Sequence, residues 1–471
     1  MSPSAERYAP LASDEQQGRY LCLCFDGTGN KFGENSNVVR FFRAIKKDIP
    51  NVQIPYYQVW TNSSILRLYE LNGMKAGVGT YNKRQFHTRT LTAVASVLDQ
   101  AVALHLNDHV KDGYKFLMQN YRPGDKICLF GFSRGAYTAR ALAGMLHKVG
   151  LLPQDNDQQL DFAFTIYQST DMSAAVTSKE FKDHFSIHVK VEFLGVWDTV
   201  SSVGILPRVL PYSSACYNVK TFRHALALDE RRARFRPNIW GEPTVRQEVV
   251  DHDGELVLPP SHNRGNWVYE PPELNIDIKE VWFSGCHADV GGGSHRKEES
   301  ESLSNIPLRW MIKECQAKTG LVFDEDYLRG IGVDIHTPQA IDPYHVKPEI
   351  DRPTIHNSIA RQGGLDLLTR GHRRDYTDAL AWIYDQLDHV PAWRILEYIP
   401  MLVTSLNPNG TWVRRRMPNY CAGRVIPPRD DVVYVHRSVQ ERMNRTQSDP
   451  DRYKPRAQNW DNISGIIEWV D

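Results

Sequence analysis

The chain has 471 residues, with 56 Lys plus Arg against 56 Asp plus Glu and a formal net charge of +0. That length exceeds a usual single domain and implies either a large domain with insertions or a catalytic domain with an accessory region. Balanced charge without a long like-charge run excludes the electrostatic footprint of a nucleic-acid binder.

Residues 1–18 are polar and read as a disordered leader with no secretory signal. "YLCLCF" is a continuous apolar run leaving into "DGTGN", the pattern of a buried parallel strand followed by a tight loop. "SNVVRFFRAIKK" follows with a cap at Asn35 or Ser36 and apolar positions at helical spacing. "VQIPYYQVW" is strand-like, and "LTAVASVLDQAVALHLNDHVKDGYKFLMQNY" is helical up to the break at "RPGD". "KICLF", "VKVEFLGVWDTV" and "EVWFSGCHADVGGG" add three more apolar strands, the last two running on into polar residues. "HALALDERRARFRP" reads as a charged helix in which Asp229 and Glu230 pair with Arg232 or Arg234 and His224 has a structural role. Residues 238–276 and 322–354, rich in Pro, Gly and charge, read as insertions, and the chain turns helical and Trp-bearing from about Leu365 to Val403. This alternation predicts an α/β fold of the α/β-hydrolase type: a mostly parallel sheet flanked by helices, with insertions and a helical C-terminal region. Residues 19–320 would form the catalytic domain and 321–471 an accessory, partly helical region packed on it. No stretch is long and apolar enough to span a bilayer, so a soluble, cytoplasmic chain is expected. The seven cysteines, at 22, 24, 128, 216, 286, 315 and 421, are odd in number and scattered, which indicates buried thiols in a reducing compartment.

Sites in such sheets gather at the carboxyl ends of strands, where the loops beginning near Asp26, Ser133, Asp198 and His287 would meet. "KICLFGFSRGAYTARALAGML" places Gly-x-Ser-x-Gly between a strand and a helix. That is the context of a nucleophile elbow, whose sharp turn needs small residues at 131 and 135 and exposes the Ser133 hydroxyl. The competing reading is a serine that merely caps the helix. A serine nucleophile needs a base and a carboxylate to orient it, in the order Ser, acid, His for this fold. Asp198 and His287 end later strands in that order, and Asp289 is a supporting candidate that would orient His287 or bind a cation. For the oxyanion hole, Arg134 offers one backbone N–H and the "FDGTGN" turn the other, at Gly27 or Thr28, with Asp26 shaping the loop. "LCLCFDGTGN" also approaches the aspartyl-phosphate signature of haloacid-dehalogenase-type phosphatases, but Cys24 stands where that chemistry needs its attacking Asp.

Taken in order, "CFDGTGN", "GFSRGAYTAR", "GVWDTVSSVG", "HALALDERRARFRP" and "WFSGCHADVGGG" resemble the α/β-hydrolase domain of the type VI secretion lipase-effector family 1, a group with many fungal members. The resemblance runs from about Leu21 to Met311. It implies a Ser-Asp-His esterase, with phospholipases among the bacterial members, in which Ser133 is the nucleophile, Asp198 the acid and His287 the base. "IHNSIARQ" and "VHRSVQERM" echo a C-terminal pattern of the fungal-type members, which makes His356 and His436 rival bases with structural packing as their other reading.

The expected reaction is cleavage of a carboxylic ester, of a lipid or phospholipid, with no metal and no organic cofactor. The apolar segment from Trp382 to Val403 is compatible with an acyl channel, a mobile cover, a transient membrane contact or a packed accessory core. Two other classes stay open: a catalytically idle hydrolase fold serving as an interaction module, and a metal-dependent phosphoesterase built on Asp26, Asp198, His287 and Asp289. Oligomeric state is not legible.

Overall fold

The computed structural model describes residues 18–28, 36–60, 106–169, 172–200, 210–241, 276–293, 301–333, 374–390, 392–406, 412–428, 431–450 and 452–471. The leader up to residue 17, residues 91–105 of the expected helix, the insertion residues 242–275 and 334–354, and His356 lie outside the described residues.

The core is one eight-stranded sheet in which every pairing is parallel. Its strands are β1 (Tyr20–Thr28), β2 (Gln53–Trp60), β3 (Lys126–Phe132), β4 (Val191–Trp197), β5 (Val219–Ala227), β6 (Asp277–Phe283), β9 (Val433–His436) and β10 (Ile467–Val470). They lie in the order β10-β9-β6-β5-β4-β3-β1-β2. A separate antiparallel pair, β7 (Met401–Leu406) and β8 (Trp412–Met417), stands apart from it. The fold is α/β, a parallel sheet flanked by helices as in α/β-hydrolases.

Side chains alternate across a strand, so a buried sheet needs apolar residues at both parities. In β1, Leu21, Leu23 and Phe25 face one layer while Cys22 and Cys24 face the other. The first layer holds the helical residues 106–120, α2 (Arg134–Val149) and α3 (Asp157–Gln168); the second holds α1 (Asn37–Ala44) and α6 (Asn305–Lys318). Phe41, Phe130, Trp197 and Trp310 are fully or almost fully buried in that second layer. The described cysteines are free thiols, all buried except the half-buried Cys421.

Two stretches differ from the expectation. His224 lies on β5, not on a helix: "TFRHALA" is a central strand, and the charged residues begin only where that strand ends. The helical stretch expected from about Leu365 to Val403 is, within the described residues, a series of short helices that gives way to a strand. Residues 374–379 are helical, short helices follow at Gln386–His389 and Ala392–Leu396, and then comes β7. Pro391 and Pro400 have no N–H to give to a continuing helix. Asp385 accepts the Leu387 N–H and starts a new turn. The C-terminal residues also extend the sheet itself, through β9 against β6 and β10 against β9.

Candidate active site

The strand order reverses direction between β1 and β3, because β2 lies outside β1 on one side and β3 to β6 continue on the other. Such a switch point opens a crevice at the carboxyl ends of the strands. Asp26 belongs to β1, Ser133 follows β3, Asp198 follows β4, and His287 follows β6 at the start of α5 (His287–Gly291).

Ser133 has φ 57 and ψ −120, a left-handed backbone that a residue with a side chain rarely adopts. Neighbours enforce it. A Cβ on Gly131 would fall 2.4 Å from the Gly135 carbonyl oxygen, and one on Gly135 would fall 2.1 Å from that of Phe25. The Ser133 N–H donates to the Trp197 carbonyl at 3.1 Å, tying the turn to β4. Although Ser133 occupies the cap position of α2, its side chain makes no capping hydrogen bond. Beside it, burial lowers the Arg134 guanidinium to about 10.

Asp198 is fully buried at φ 39 and its carboxylate accepts four hydrogen bonds. Oδ1 accepts from the Ala227 N–H (2.9 Å) and Arg424 Nη1 (2.6 Å); Oδ2 accepts from Arg424 Nη2 (2.9 Å) and lies 2.6 Å from His287 Nδ1. Burial alone would raise this carboxyl. The Arg424 guanidinium and the His287 contact outweigh it and hold the group well below the usual carboxylate range. An ionised Asp198 assigns the Nδ1 proton to His287 and makes Nε2 the acceptor nitrogen. The adjoining Thr199 N–H donates to His224 Nε2 at 3.0 Å, while His224 Nδ1 meets Glu280 at 2.9 Å. His224 therefore steadies the Asp198 loop from β5.

The His287 ring lies between Phe132 (centroids 4.7 Å apart) and Phe235 (4.8 Å), and its backbone N–H donates to Glu230 Oε2 at 3.2 Å. Burial pushes its imidazole down against the opposing pull of Asp198. A Cβ on Gly291 would meet the Phe132 ring at 1.8 Å, so that position must be glycine for α5 to approach the end of β3. Among the described residues no hydrogen bond joins Ser133 Oγ to His287.

Asp26 is also buried. Its Oδ1 accepts from the Gly27 N–H (2.7 Å) and Ser36 Oγ (2.6 Å), and its Oδ2 from the Tyr57 hydroxyl (2.7 Å). Burial and then the Asp26 charge push the Tyr57 phenol far up. Gly27 packs toward Ser133, where an added Cβ would lie 3.4 Å from Ser133 Cβ. Its N–H is engaged on Asp26, which leaves the Thr28 N–H as the donor to consider in that turn. Asp289 Oδ2 accepts from the N–H groups of Cys286 and Tyr384, each at 2.9 Å. His436, at the end of β9, stacks on Phe283 (4.9 Å) and lies 2.9 Å from Ser438 Oγ through Nδ1. Burial pushes it down to about 3. Among the described residues no group of three or more His, Cys, Asp or Glu side chains is arranged to hold a metal ion, and Asp26, Asp198, His287 and Asp289 form no such set.

Arg424 is the residue that the sequence reading missed at this site; Glu230, expected to pair with Arg232 or Arg234, was missed only as a neighbour of His287. Glu230 had a signal, an acidic residue directly before Arg-Arg at the end of a strand, and it pairs with Arg232 at 2.8 Å. Arg424 had none, lying in the featureless "CAGRVIPPRD".

Residues 19–314, more than half of the chain, match the family described as T6SS, Phospholipase effector Tle1-like, catalytic domain. The chain belongs to this Tle1-like family. Membership supports lipolytic hydrolysis as its general class of chemistry. Uncharacterized protein YEL023C of Saccharomyces cerevisiae is 25% identical, over 94% of this chain and 81% of that one. Two solved structures are more distant. An uncharacterized protein from Pseudomonas aeruginosa has 19% identity and a TM-score of 0.33, covering 66% of this chain and 48% of its own. The Tle1 effector bound to the VgrG spike of the Type 6 secretion system has 15% identity and a TM-score of 0.27, covering 59% and 51%. The chain thus spans about half the length of these solved relatives. No helix among the described residues is long and apolar enough to cross a membrane.

Proposed function

We propose that the chain is a serine esterase acting on lipid or phospholipid acyl esters through Ser133, His287 and Asp198. The observation that carries this reading is Ser133 itself. It is a cap-position serine held in a left-handed backbone by two glycine-shaped contacts, with its hydroxyl uncommitted to the helix it precedes. Strain of this kind, maintained by the surrounding structure, points to a working group.

In the proposed mechanism, Ser133 Oγ attacks the acyl carbonyl carbon while His287 Nε2 takes its proton. Asp198 holds the Nδ1 proton in place and stabilises the imidazolium. The N–H groups of Arg134 and Thr28 receive the oxyanion as it forms. Collapse breaks the ester bond, His287 returns the proton to the departing alcohol, and water then releases the acid by the same steps in reverse order. The Ser133–His287 hydrogen bond would form as substrate enters, since such contacts are often long in unliganded sites.

Lipid is favoured by the surface beside the site. Trp393 packs on Phe235 (5.7 Å), and Phe235 packs on His287. The same short segment carries Ile395, Tyr398 and Ile399, which are 69%, 63% and 48% exposed. That surface suits transient contact with aggregated lipid.

The missing Ser133–His287 contact favours a second reading, an idle hydrolase fold used for interaction. Fluorophosphonate labelling separates the two. Under the esterase reading Ser133 is labelled, the label is lost in Ser133→Ala, and turnover of acyl esters falls by roughly 10⁴-fold or more. A folded wild type that stays unlabelled, with and without detergent micelles, would sink the esterase reading and leave the scaffold.

A further inference from the structure

We propose that Arg424 is a positioning residue for the Asp198–His287 pair, a buried cation that fixes the carboxylate in place and cancels its charge. The inference rests on the assignment of His287 as base given above, and it adds a residue outside the family-matched segment, which ends at 314.

Both oxygens of Asp198 are gripped by the two terminal nitrogens of one guanidinium, a two-point geometry that a lysine cannot reproduce. Arg424 is itself held: Nη1 donates to the Ala227 carbonyl at 3.0 Å and Nη2 to that of Phe235. The two side chains are 4% and 0% exposed, so water screens this pair little. Those two carbonyls flank the loop between β5 and Phe235, the ring against His287. The guanidinium therefore aligns the carboxylate and the wall of the imidazole pocket together.

The charge count gives the arrangement its meaning. At rest, Arg424 and Asp198 sum to zero beside a neutral imidazole. During attack His287 gains one positive charge while the acyl oxygen gains one negative charge, and the sum is unchanged. Without Arg424 the resting pair would carry an uncompensated buried negative charge, which is costly. The pair would then take up a proton at higher pH, whichever of its atoms holds that proton. The other charged groups facing His287 do not replace Arg424. Glu230, below the His287 backbone, is already paired with Arg232, and Asp289 on α5 is turned to the Cys286 and Tyr384 amides. His224, behind Asp198 on β5, is engaged with Glu280, and Arg134 sits at the head of α2.

The test uses the full chain with Arg424→Gln and Arg424→Lys, each checked for folding by circular dichroism. Two quantities are read: the acid limb of kcat/KM on a chromogenic acyl ester, and the NMR titration of the His287 ring, assigned with His287→Gln. For Arg424→Gln both midpoints move up by about one pH unit, and turnover at neutral pH falls by about 10²-fold. For Arg424→Lys, which keeps the charge and loses the fork, the midpoints stay near wild type while kcat drops. A uniform loss of activity with unmoved midpoints in Arg424→Gln would overturn the proposal, leaving Arg424 a structural residue. If Arg424→Gln does not fold, a shifted midpoint in Arg424→Lys would overturn it equally. The ring titration needs no activity, so a wild type without ester turnover would sink the esterase reading while Arg424's effect on His287 is still measured.

Discussion

Ser133 and Asp198 end neighbouring strands, and both have positive φ, yet they are held there by opposite means. Ser133 is shaped from outside: Gly131 and Gly135 admit no Cβ, the backbone bonds to β4, and the hydroxyl makes no cap bond. Asp198 is held through its own side chain, by four donors from three different parts of the chain. In the roles proposed above, a nucleophile must leave its oxygen available to change partners, whereas an orienting acid works by not moving. Steric enforcement suits the first and saturated hydrogen bonding the second.

Substitutions should therefore separate the two positions. Ser133→Ala removes chemistry without removing support, so the labelling and turnover losses given above should come with a thermal unfolding free energy within about 0.5 kcal/mol of wild type. Asp198→Asn should lose both. Turnover is expected to fall about 10⁴-fold because the wrong tautomer is held. Urea unfolding should show a cost of about 3 kcal/mol because Arg424 is left as an uncompensated buried cation. If Asp198→Asn unfolds like wild type, the contrast between the two positions fails. Gly135→Ala tests the steric side: the new Cβ would press on the Phe25 carbonyl and should cost about 2 kcal/mol or more in the same urea experiment, with activity falling as the elbow distorts.

The smallest effect on turnover belongs to His436, which ends β9 with, among the described residues, no carboxylate hydrogen-bonded to its ring nitrogens as Asp198 is to His287. Burial lowers its pKa to about 3 in the folded chain, against an ordinary value near 6.5 when unfolded. The unfolded state therefore binds the extra proton in this window. The stability contribution is complete above about pH 6.5 and is lost as pH falls toward 3, by up to about 1.4 kcal/mol per pH unit. His436→Gln should flatten that part of the stability profile and leave ester turnover within about twofold. A larger loss of turnover would return His436 to the site.

Much of this frame was legible because buried parallel strands announce themselves. "YLCLCF", "ICLF" and "FLGVW" are apolar at both parities, which only a doubly covered strand requires. The tight turn at Ser133 was legible because Gly131 and Gly135 have a steric reason. The strand through His224 was misread since its charged continuation imitates helical spacing, and β9 and β10 have only four residues each. Arg424 was illegible for a deeper reason: a buried arginine differs from a surface one only by its partner, and Asp198 is far away in sequence.

That distance also orders events in time. A ribosome releases Ser133, Asp198 and His287 into the folding chain well before it makes Arg424. On this geometry the nascent protein carries its motifs early but closes the charge pair behind them only once Arg424 is made, so a product truncated before Arg424 would hold the proposed triad without that pair.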